Sequence, residues 1–220
     1  VSKTDAIEDV FFGTDYHSHL GTRRGGMASY DKEIGLQRDI HNISKAPFRT
    51  KFENIFEEMT GTSAIGCISD FEPQPLLIRS KLGAYAISFI GIINNAEELI
   101  EECLKNGGNH FDAMTGGNVN SVELVASLIN QKDNFTDGIK HVQDVIDGTA
   151  SILILTDNGS IIAARDKLGR LPIIIGKNED GFALSFESFA SQRLGFSQYK
   201  ELGPGEIVEI TADNITVLAE

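Results

Sequence analysis

Apolar residues recur at helical spacing at the start of the chain. Ile7, Val10 and Phe11 share one face at this spacing. The pattern predicts a helix over residues 5–20, with Leu20 as its last apolar position.

The segment that follows, residues 21–26, contains glycines suited to a left-handed helix cap and arginines suited to the negative end of a helix. It is therefore predicted to be the turn that ends the first helix. The other elements predicted in the first sixty residues are extended segments at residues 27–30 and 33–37 and a helix at residues 49–59.

The middle of the chain changes pattern to near-continuous apolar runs rich in Ile, Leu and Ala. Such runs favour strands that are covered on both faces. The predicted strands lie at residues 64–68, 76–78 and 85–93. Helical spacing returns after Asn94-Asn95, a pair suited to a helix cap. The predicted helices lie at residues 96–105, 121–130 and 136–146.

The last third alternates apolar stretches with turn signals. Asp157-Asn158-Gly159 is a strong hairpin signal because Asn-Gly tolerates positive φ. Helices among strands, followed by hairpins, favour an α+β fold of two packed sheets with helices outside and one continuous core. No repeat or linker divides the sequence, so residues 1–220 are predicted to form a single domain. The predicted hairpins pair residues 151–155 with 160–164, 172–175 with 182–186, and 207–210 with 215–218.

The composition of the chain limits the classes of partner that we expect it to bind. The net charge of −13 argues against nucleic acid or an anionic membrane surface, because both reward clustered Lys and Arg. No apolar run approaches the roughly 20 residues that span a bilayer, and no basic-then-apolar signal occurs at the start. With two cysteines, Cys67 and Cys103, neither a disulfide framework nor a four-cysteine zinc site is available. These features predict a cytoplasmic protein with free thiols.

Several short motifs occur in one order over nearly the whole chain. Together they resemble the class II glutamine amidotransferase domain, an N-terminal nucleophile hydrolase, and especially its amidophosphoribosyltransferase branch. This resemblance implies a four-layer α/β/β/α sandwich of two mainly antiparallel sheets. The motifs are Arg24-Gly25, Glu72-Pro73-Gln74-Pro75-Leu76, residues 87–99, Glu123, residues 165–172, Glu187-Ser188 and Gly203-Pro204-Gly205-Glu206.

The resemblance also implies a chemistry. In that family an N-terminal cysteine attacks the side-chain amide of glutamine, with its own α-amino group as base. An Asn side chain and the next Gly backbone N–H hold the oxyanion. An Arg pairs with the glutamine carboxylate, and an Asp receives the α-amino group.

Most of these positions carry other residues here. Gly91 matches the oxyanion glycine, but Ile90 replaces the Asn before it. The family's Gly-His-x-Arg strand ends in Ser69, and its Asp is Ser121. Only residues 1–4 precede the first helix, so the family's nucleophile strand is either mostly absent from this sequence or was trimmed from it. In either case the nucleophile is not present in this sequence. Arg24 and Gly25 match the family's His-Arg-Gly turn and are predicted to lie at the substrate site.

Two hypotheses follow. The first is a glutamine amidotransferase-like domain with low or no glutaminase activity, joined to a C-terminal phosphoribosyltransferase-like domain. The second is a non-catalytic domain that acts as a scaffold or binds a different small molecule. The ligand is then glutamine or another small molecule, and a homo-oligomer is compatible with either hypothesis. No cofactor or metal is expected.

Other candidate groups have plainer interpretations. Ser2 or Thr4 is a candidate nucleophile, although solvated hydroxyls at a strand end are commoner. Cys67 is either reactive or, more commonly, a buried inert thiol; Cys103, on a predicted helix, is expected to be structural. His17-Ser18-His19 suggests a metal site, but positions i and i+2 of a helix do not share a face, so local hydrogen bonding at the helix end is favoured. Arg23-Arg24 is either an anion site or compensation of the helix dipole.

Overall fold

The structure, a computed structural model, describes residues 1–107, 110–114 and 116–220. Two layers of β-sheet pack face to face, one of them a six-stranded sheet and the other built from two three-stranded sheets, and helices cover the outer face of each layer. The architecture is therefore the α+β sandwich of four layers that the resemblance implied.

The helices fall into two groups, one on each outer face. The first, second and sixth helices cover one sheet, and the third, fourth and fifth cover the other. Their bounds are α1 Ile7–Tyr16, α2 Phe48–Glu58, α3 Ala96–Lys105, α4 Ser121–Ile129, α5 Phe135–Val145 and α6 Ser188–Arg193, with a short 3₁₀ turn at Ser18–Leu20.

The strands form one six-stranded sheet and two three-stranded sheets, and all pairs are antiparallel. The strands are β1 Arg24–Asp31, β2 Gly35–Asn42, β3 Ser63–Ser69, β4 Leu76–Ser80, β5 Gly83–Ile93, β6 Gly148–Thr156, β7 Ile161–Ala164, β8 Ile174–Lys177, β9 Phe182–Ser185, β10 Ser197–Glu201, β11 Ile207–Ile210 and β12 Ile215–Ala219. The strand orders are β12-β11-β7-β6-β5-β4 in the large sheet and β2-β1-β3 and β10-β8-β9 in the small ones.

The first residues of the chain join the two small sheets into one layer. The backbone N–H of Ser2 donates to the Thr62 carbonyl at 2.7 Å, on the β3 side. On the other side, the Phe182 N–H donates to the Val1 carbonyl at 2.9 Å, and Ser2 forms a bridge with Gly181. Residues 1 and 2 thus lie in the middle of the layer that the two small sheets form, which we call the second sheet.

Alternate residues of β5 pack into different layers. Tyr85, Ile87 and Phe89 face the helices of their own sheet. Ala86 faces the other sheet and packs with Ala28. This confirms the prediction of a strand covered on both faces for residues 85–89. It is wrong for residues 76–78, because β4 lies at the edge of its sheet and Leu77 is 40% exposed.

The segment after the first helix was predicted wrongly. α1 ends at Tyr16, and Leu20 lies in the 3₁₀ turn with 47% of its surface exposed. Gly21 has φ −165°, which is extended backbone rather than a left-handed cap. Arg24 and Gly25 belong to β1, so Arg24 does not compensate the dipole of α1. The reason is that β1 pairs along its length with both β2 and β3, and these ladder hydrogen bonds keep the segment extended.

Asn95 was predicted to cap α3, but its side chain makes no capping hydrogen bond to this helix. Its amide instead donates to the Val145 carbonyl and accepts from the Asp147 N–H, both at 2.9 Å. It therefore fastens the start of α3 to the end of α5. In the first hairpin, Gly159 takes the positive φ of +86°.

The remaining predicted elements are present, including all three hairpins. α6 and β10 escaped prediction because α6 has six residues and β10 is mostly exposed, so neither shows a clear apolar period. In the described part of the chain, no helix combines the length and apolarity needed to cross a membrane.

Candidate functional site

Side-chain direction on β1 places Arg24 between the two sheets. A Cβ atom on Gly25 would meet the Phe48 ring of α2, on the outer side. A Cβ atom on Gly26 would meet the Gln74 carbonyl, on the inner side. Because successive strand residues point to opposite faces, Arg24 shares the inner side with Gly26, and Gly25 faces away.

The same alternation applies to β3 and β5. Ile65 and Ala86 pack together between the sheets, so Ser69 of β3 and the pair Ser88 and Ile90 of β5 face inward as well. We call the end of the gap lined by Arg24, Ser69, Ser88 and Ile90 the inter-sheet cleft. It brings together three of the predicted site residues.

Arg24 is a partly buried cation for which the described residues supply no partner. It lies directly across from Ser69 in the β1–β3 ladder. Its guanidinium makes no hydrogen bond or ion pair with any residue that the structure describes. Its neighbour Arg23 is exposed and lies over the Phe71 ring, 5.9 Å from the ring centre. An unpaired guanidinium in a protein of net charge −13 favours an anionic ligand group.

A tight turn after Ser69 carries a carboxylate into the same region. The Ser69 hydroxyl accepts from the Phe71 N–H at 3.3 Å and from the Glu72 N–H at 3.2 Å. Glu72 Oε1 then accepts from the Ser121 N–H at 3.0 Å, at the start of α4. The structure therefore joins Ser69 and Ser121 through Glu72, whose carboxylate was not predicted as a site group.

The segment that carries Glu72 is fixed at both ends. The Asn120 amide donates to the Pro73 carbonyl at 3.1 Å while its oxygen caps α4 at the Val122 N–H. The buried Gln74 side chain accepts from the Phe89 N–H at 2.9 Å, beside the strand residues 90 and 91. These bonds hold the segment after Glu72 between the start of α4 and β5, and the Glu72 carboxylate itself lies at the start of α4.

Ile90 and Gly91 lie at the open end of β5. Ile90 is 37% exposed, although the residues before it on β5 are buried. A Cβ atom on Gly91 would lie under 3.0 Å from the Thr149 carbonyl oxygen of β6, so the close approach of these strands requires glycine. The corner of the cleft at residue 90 is consequently apolar.

Ser88 is a buried polar group whose hydroxyl has no partner in the part of the chain that the structure describes. Its side chain is 7% exposed, and its hydroxyl makes no hydrogen bond to the described residues. Buried hydroxyls are normally paired, and an unpaired one costs about 1–3 kcal/mol. The sequence carried a signal for this residue, since Ser88 stands two positions before Ile90 on the same strand face.

Cys67 lies on the inner face of β3, two residues before Ser69. Burial, aided by the Glu72 carboxylate, raises the pKa of its thiol to about 12. Cys103 is buried in α3, and burial raises the pKa of its thiol also. Both shifts favour the protonated, unreactive thiol.

We expect both thiols to react slowly in the folded protein. At pH 8 a thiol with a pKa of about 12 is ionised in about one molecule in 10,000, and the thiolate is the reactive form. Titration with a chromogenic disulfide reagent should release the chromophore slowly from the native protein. In denaturant it should release two equivalents of chromophore rapidly, one for each cysteine. One rapid equivalent from the native protein, lost in Cys67→Ser, would show a reactive Cys67.

The histidines near the end of α1 make the expected local hydrogen bonds. His17 Nδ1 lies 2.7 Å from the Gly13 carbonyl oxygen, and His19 Nδ1 lies 3.1 Å from that of Tyr16. Their rings nevertheless stack, with centres 6.5 Å apart, because the helix ends before them and the i, i+2 rule does not apply. In residues 1–107, 110–114 and 116–220, no group of three His, Cys, Asp or Glu side chains is placed to hold a metal.

The plainer interpretation of Ser2, a solvated hydroxyl at a strand end, is wrong. Ser2 is 8% exposed and accepts a hydrogen bond from the Thr4 N–H at 3.1 Å. The reason is that residues 1 and 2 lie inside the second sheet. The hydroxyls of Ser2 and Thr4 lie 3.3 Å apart.

The fold and the cleft define the class of protein. A sandwich of two antiparallel sheet layers between helices is the fold of the N-terminal nucleophile hydrolases. A model of the glutamine amidotransferase domain family matches residues 51–192, and the chain belongs to this family.

Individual relatives agree with this assignment. The amidophosphoribosyltransferase of Methanocaldococcus jannaschii is 29% identical over 219 residues, which cover 94% of this chain and 45% of the relative. That of Bacillus subtilis is 31% identical over 222 residues, covering 96% of this chain and 44% of the relative. The chain thus spans less than half the length of these relatives.

A solved structure supports the fold. The glutamine phosphoribosylpyrophosphate amidotransferase from B. subtilis, complexed with ADP and GMP, superposes with a TM-score of 0.85 at 24% identity. The match covers 98% of this chain and 47% of that one. It confirms the four-layer architecture over nearly the whole chain.

Proposed function

We propose that this chain is the amidotransferase-type domain of an amidophosphoribosyltransferase-like protein and that its glutaminase activity is low or absent. The family match and the two relatives support the first part. Residues 1–220 form one domain in this proposal. Because the relatives are about twice as long, we also propose that a phosphoribosyltransferase-like domain follows it.

The observation that carries the second part is Ile90 beside Gly91. A side-chain amide at position 90 would donate to an oxyanion, and Ile90 presents an exposed aliphatic surface there instead. Loss of one oxyanion donor typically costs about 100- to 1000-fold in turnover. Ser69 and Ser121 add to this loss, because neither hydroxyl supplies the charge that the family uses to orient glutamine.

A second candidate function is a binding module without catalysis. Arg24 and the buried hydroxyl of Ser88 favour it, because neither has a partner among residues 1–107, 110–114 and 116–220 and a ligand would supply one. The two candidates share the cleft and differ in whether glutamine is cleaved there. A cytoplasmic location and a homo-oligomer remain predictions.

The variant Ile90→Asn tests this proposal. We expect that it does not by itself give glutamate release from glutamine, because positions 69 and 121 still lack the charged groups. Ile92→Asn is a matched control, since Ile92 lies on the same strand face and is 61% exposed. Both variants are assayed in the natural gene product. Measurable turnover in Ile90→Asn but not in Ile92→Asn would contradict the proposal.

A further inference from the structure

We propose that the open edge of β12 pairs antiparallel with β12 of a second copy of this chain, so that the two six-stranded sheets join into one. β12 is the edge strand opposite β4 in the large sheet, and three strands separate it from β5. This edge lies outside the inter-sheet cleft, and its pairing does not depend on the proposed function.

The outer edges of the two sheet layers differ in charge. β2, β4 and β10 form the other edges, and charged side chains on such strands oppose pairing with another chain. β12, Ile215–Ala219, carries no charged side chain. In a protein of net charge −13, an uncharged edge favours the approach of two copies there. The charged residues on the other edges are Arg38 and Asp39 in β2, Arg79 in β4, and Lys200 and Glu201 in β10.

Both faces of β12 are open at its middle. Thr216 and Val217 are neighbours, so their side chains point to opposite faces of the sheet. Both side chains are exposed, that of Val217 by 45%. Neither the helices nor the second sheet therefore covers the middle of this edge, and a strand of another copy has access to it.

The hairpin register determines which backbone groups of β12 face outward. The Thr211 N–H donates to the Asn214 carbonyl at 2.9 Å, and the ladder with β11 continues without a shift as far as Val217. Because hydrogen-bonded pairs alternate along an antiparallel ladder, Thr216 directs its N–H and C=O towards β11. Ile215 and Val217 direct theirs away from β11, to the side on which the structure describes no further strand.

A two-fold axis at Thr216 gives these outward groups partners in both copies. Ile215 of one copy then exchanges hydrogen bonds with Val217 of the other, and Thr216 lies opposite its own copy. All of these side chains are β-branched, and such cross-strand pairs stabilise antiparallel strands. The acidic residues nearest the strand, Asp213 and Glu220, lie opposite alanines in this register, so no like charges face each other.

The expected interface is short. The register between β11 and β12 shifts between Ile207 and Val208, and such a bulge bends β12 beyond Val217. Ladder pairing is thus limited to the residues around Thr216. Because small interfaces give weak, transient complexes, we expect the fraction of dimer to depend on protein concentration.

Disulfide crosslinking of the natural gene product tests this proposal. The variants are Thr216→Cys, Val217→Cys and Tyr199→Cys, the last of which lies on the edge strand β10 and is 57% exposed. In the proposed register the two Cα atoms of residue 216 lie about 4.5 Å apart, within reach of a disulfide. Those of residue 217 lie about 8 Å apart, which is too far.

We expect a copper–phenanthroline oxidant to link Thr216→Cys into dimers at least tenfold faster than either other variant. The unaltered protein, with Cys67 and Cys103 alone, gives the background rate, and peptide mass spectrometry locates the disulfide. Equal rates in the three variants, a faster link in Val217→Cys, or no link at residue 216 would each overturn the proposal.

Thr216→Lys gives a second, noncovalent test. Two lysines opposite each other repel, so sedimentation equilibrium should show dimer formation at least tenfold weaker than in the unaltered protein. Tyr199→Lys is the matched control and should change it less than twofold. Thermal unfolding should be the same in both variants, because both positions are exposed. Dimer formation unchanged by Thr216→Lys, or an unaltered protein that stays monomeric, would overturn the proposal.

Discussion

Gly26→Ala is expected to destabilise the fold by about 3 kcal/mol and to displace the segment that carries Glu72. The added Cβ would lie under 3.0 Å from the Gln74 carbonyl and from the Pro75 ring. These neighbours cannot move freely, because Gln74 is buried and hydrogen-bonded to the Phe89 N–H. Overpacking of a buried position typically costs about 1–3 kcal/mol, and backbone neighbours place this case at the upper end.

The matched control is Gly13→Ala inside α1. Its added Cβ would meet the Leu194 side chain at 3.5 Å, an ordinary contact. Alanine in a helix interior is more stable than glycine by about 0.5–1 kcal/mol. Denaturant unfolding of both variants measures the difference. Equal stabilities would show that the close approach of β1 to the segment at residues 72–75 does not constrain the fold.

Asp166→Ala is expected to destabilise the protein by about 3 kcal/mol. The Asp166 side chain is 4% exposed, and its Oδ1 accepts from the Ala150 N–H at 3.1 Å while Oδ2 accepts from the Leu168 N–H at 3.0 Å. Removing the carboxylate leaves a buried N–H of β6 without a partner and frees the loop after β7. An unpaired buried donor costs about 1–3 kcal/mol, more when the lost partner is charged.

Asp213→Ala is the control for the loss of a carboxylate. Asp213 is 81% exposed in its side chain and lies 3.5 Å from Lys3 Nζ. An exposed pair of this kind is worth about 0–1 kcal/mol. Thermal unfolding at neutral pH should give Asp166→Ala a much lower transition midpoint than Asp213→Ala. Coinciding transitions would mean that the loop at residues 165–172 is held by other contacts.

The loop at residues 165–172 could be predicted as a family motif, but its hydrogen bonds could not. The motif at residues 165–172 predicted a family feature, and the structure supplies its physical basis. Arg165 donates to the carbonyls of Gly169 and Leu171 at 2.8 and 3.1 Å, so one side chain closes the loop. Such bonds depend on the loop conformation, which spacing along the chain does not give.

Much of the fold followed from periodicity, because strands such as β5 carry long apolar runs and the hairpins carry turn signals. The failures occurred where tertiary pairing overrode a local signal. Gly21 and Arg24 matched a helix end by residue type, yet pairing of β1 on both sides made the segment a strand. Asn95 matched a cap but found tertiary partners.

The candidate site was predictable only in part. The resemblance identified Arg24, Ser69, Ile90 and Ser121. The structure places the first three at one end of the gap between the sheets and Ser121 at the start of α4. Glu72 entered the site through a hydrogen bond to the start of α4, a contact between segments 49 positions apart. Sequence spacing gives no information on such a contact, since it depends on how the turn after β3 packs.

The most direct test of the account is the incubation of the natural gene product with glutamine labelled with ¹⁵N in its side-chain amide. Ammonium release is followed by NMR, and the N-terminus of the same sample is read by mass spectrometry. We predict no release above the buffer rate from protein that unfolds cooperatively. Release that scales with protein concentration would contradict it and would show that other groups replace the Asn, Arg and Asp that Ile90, Ser69 and Ser121 displaced.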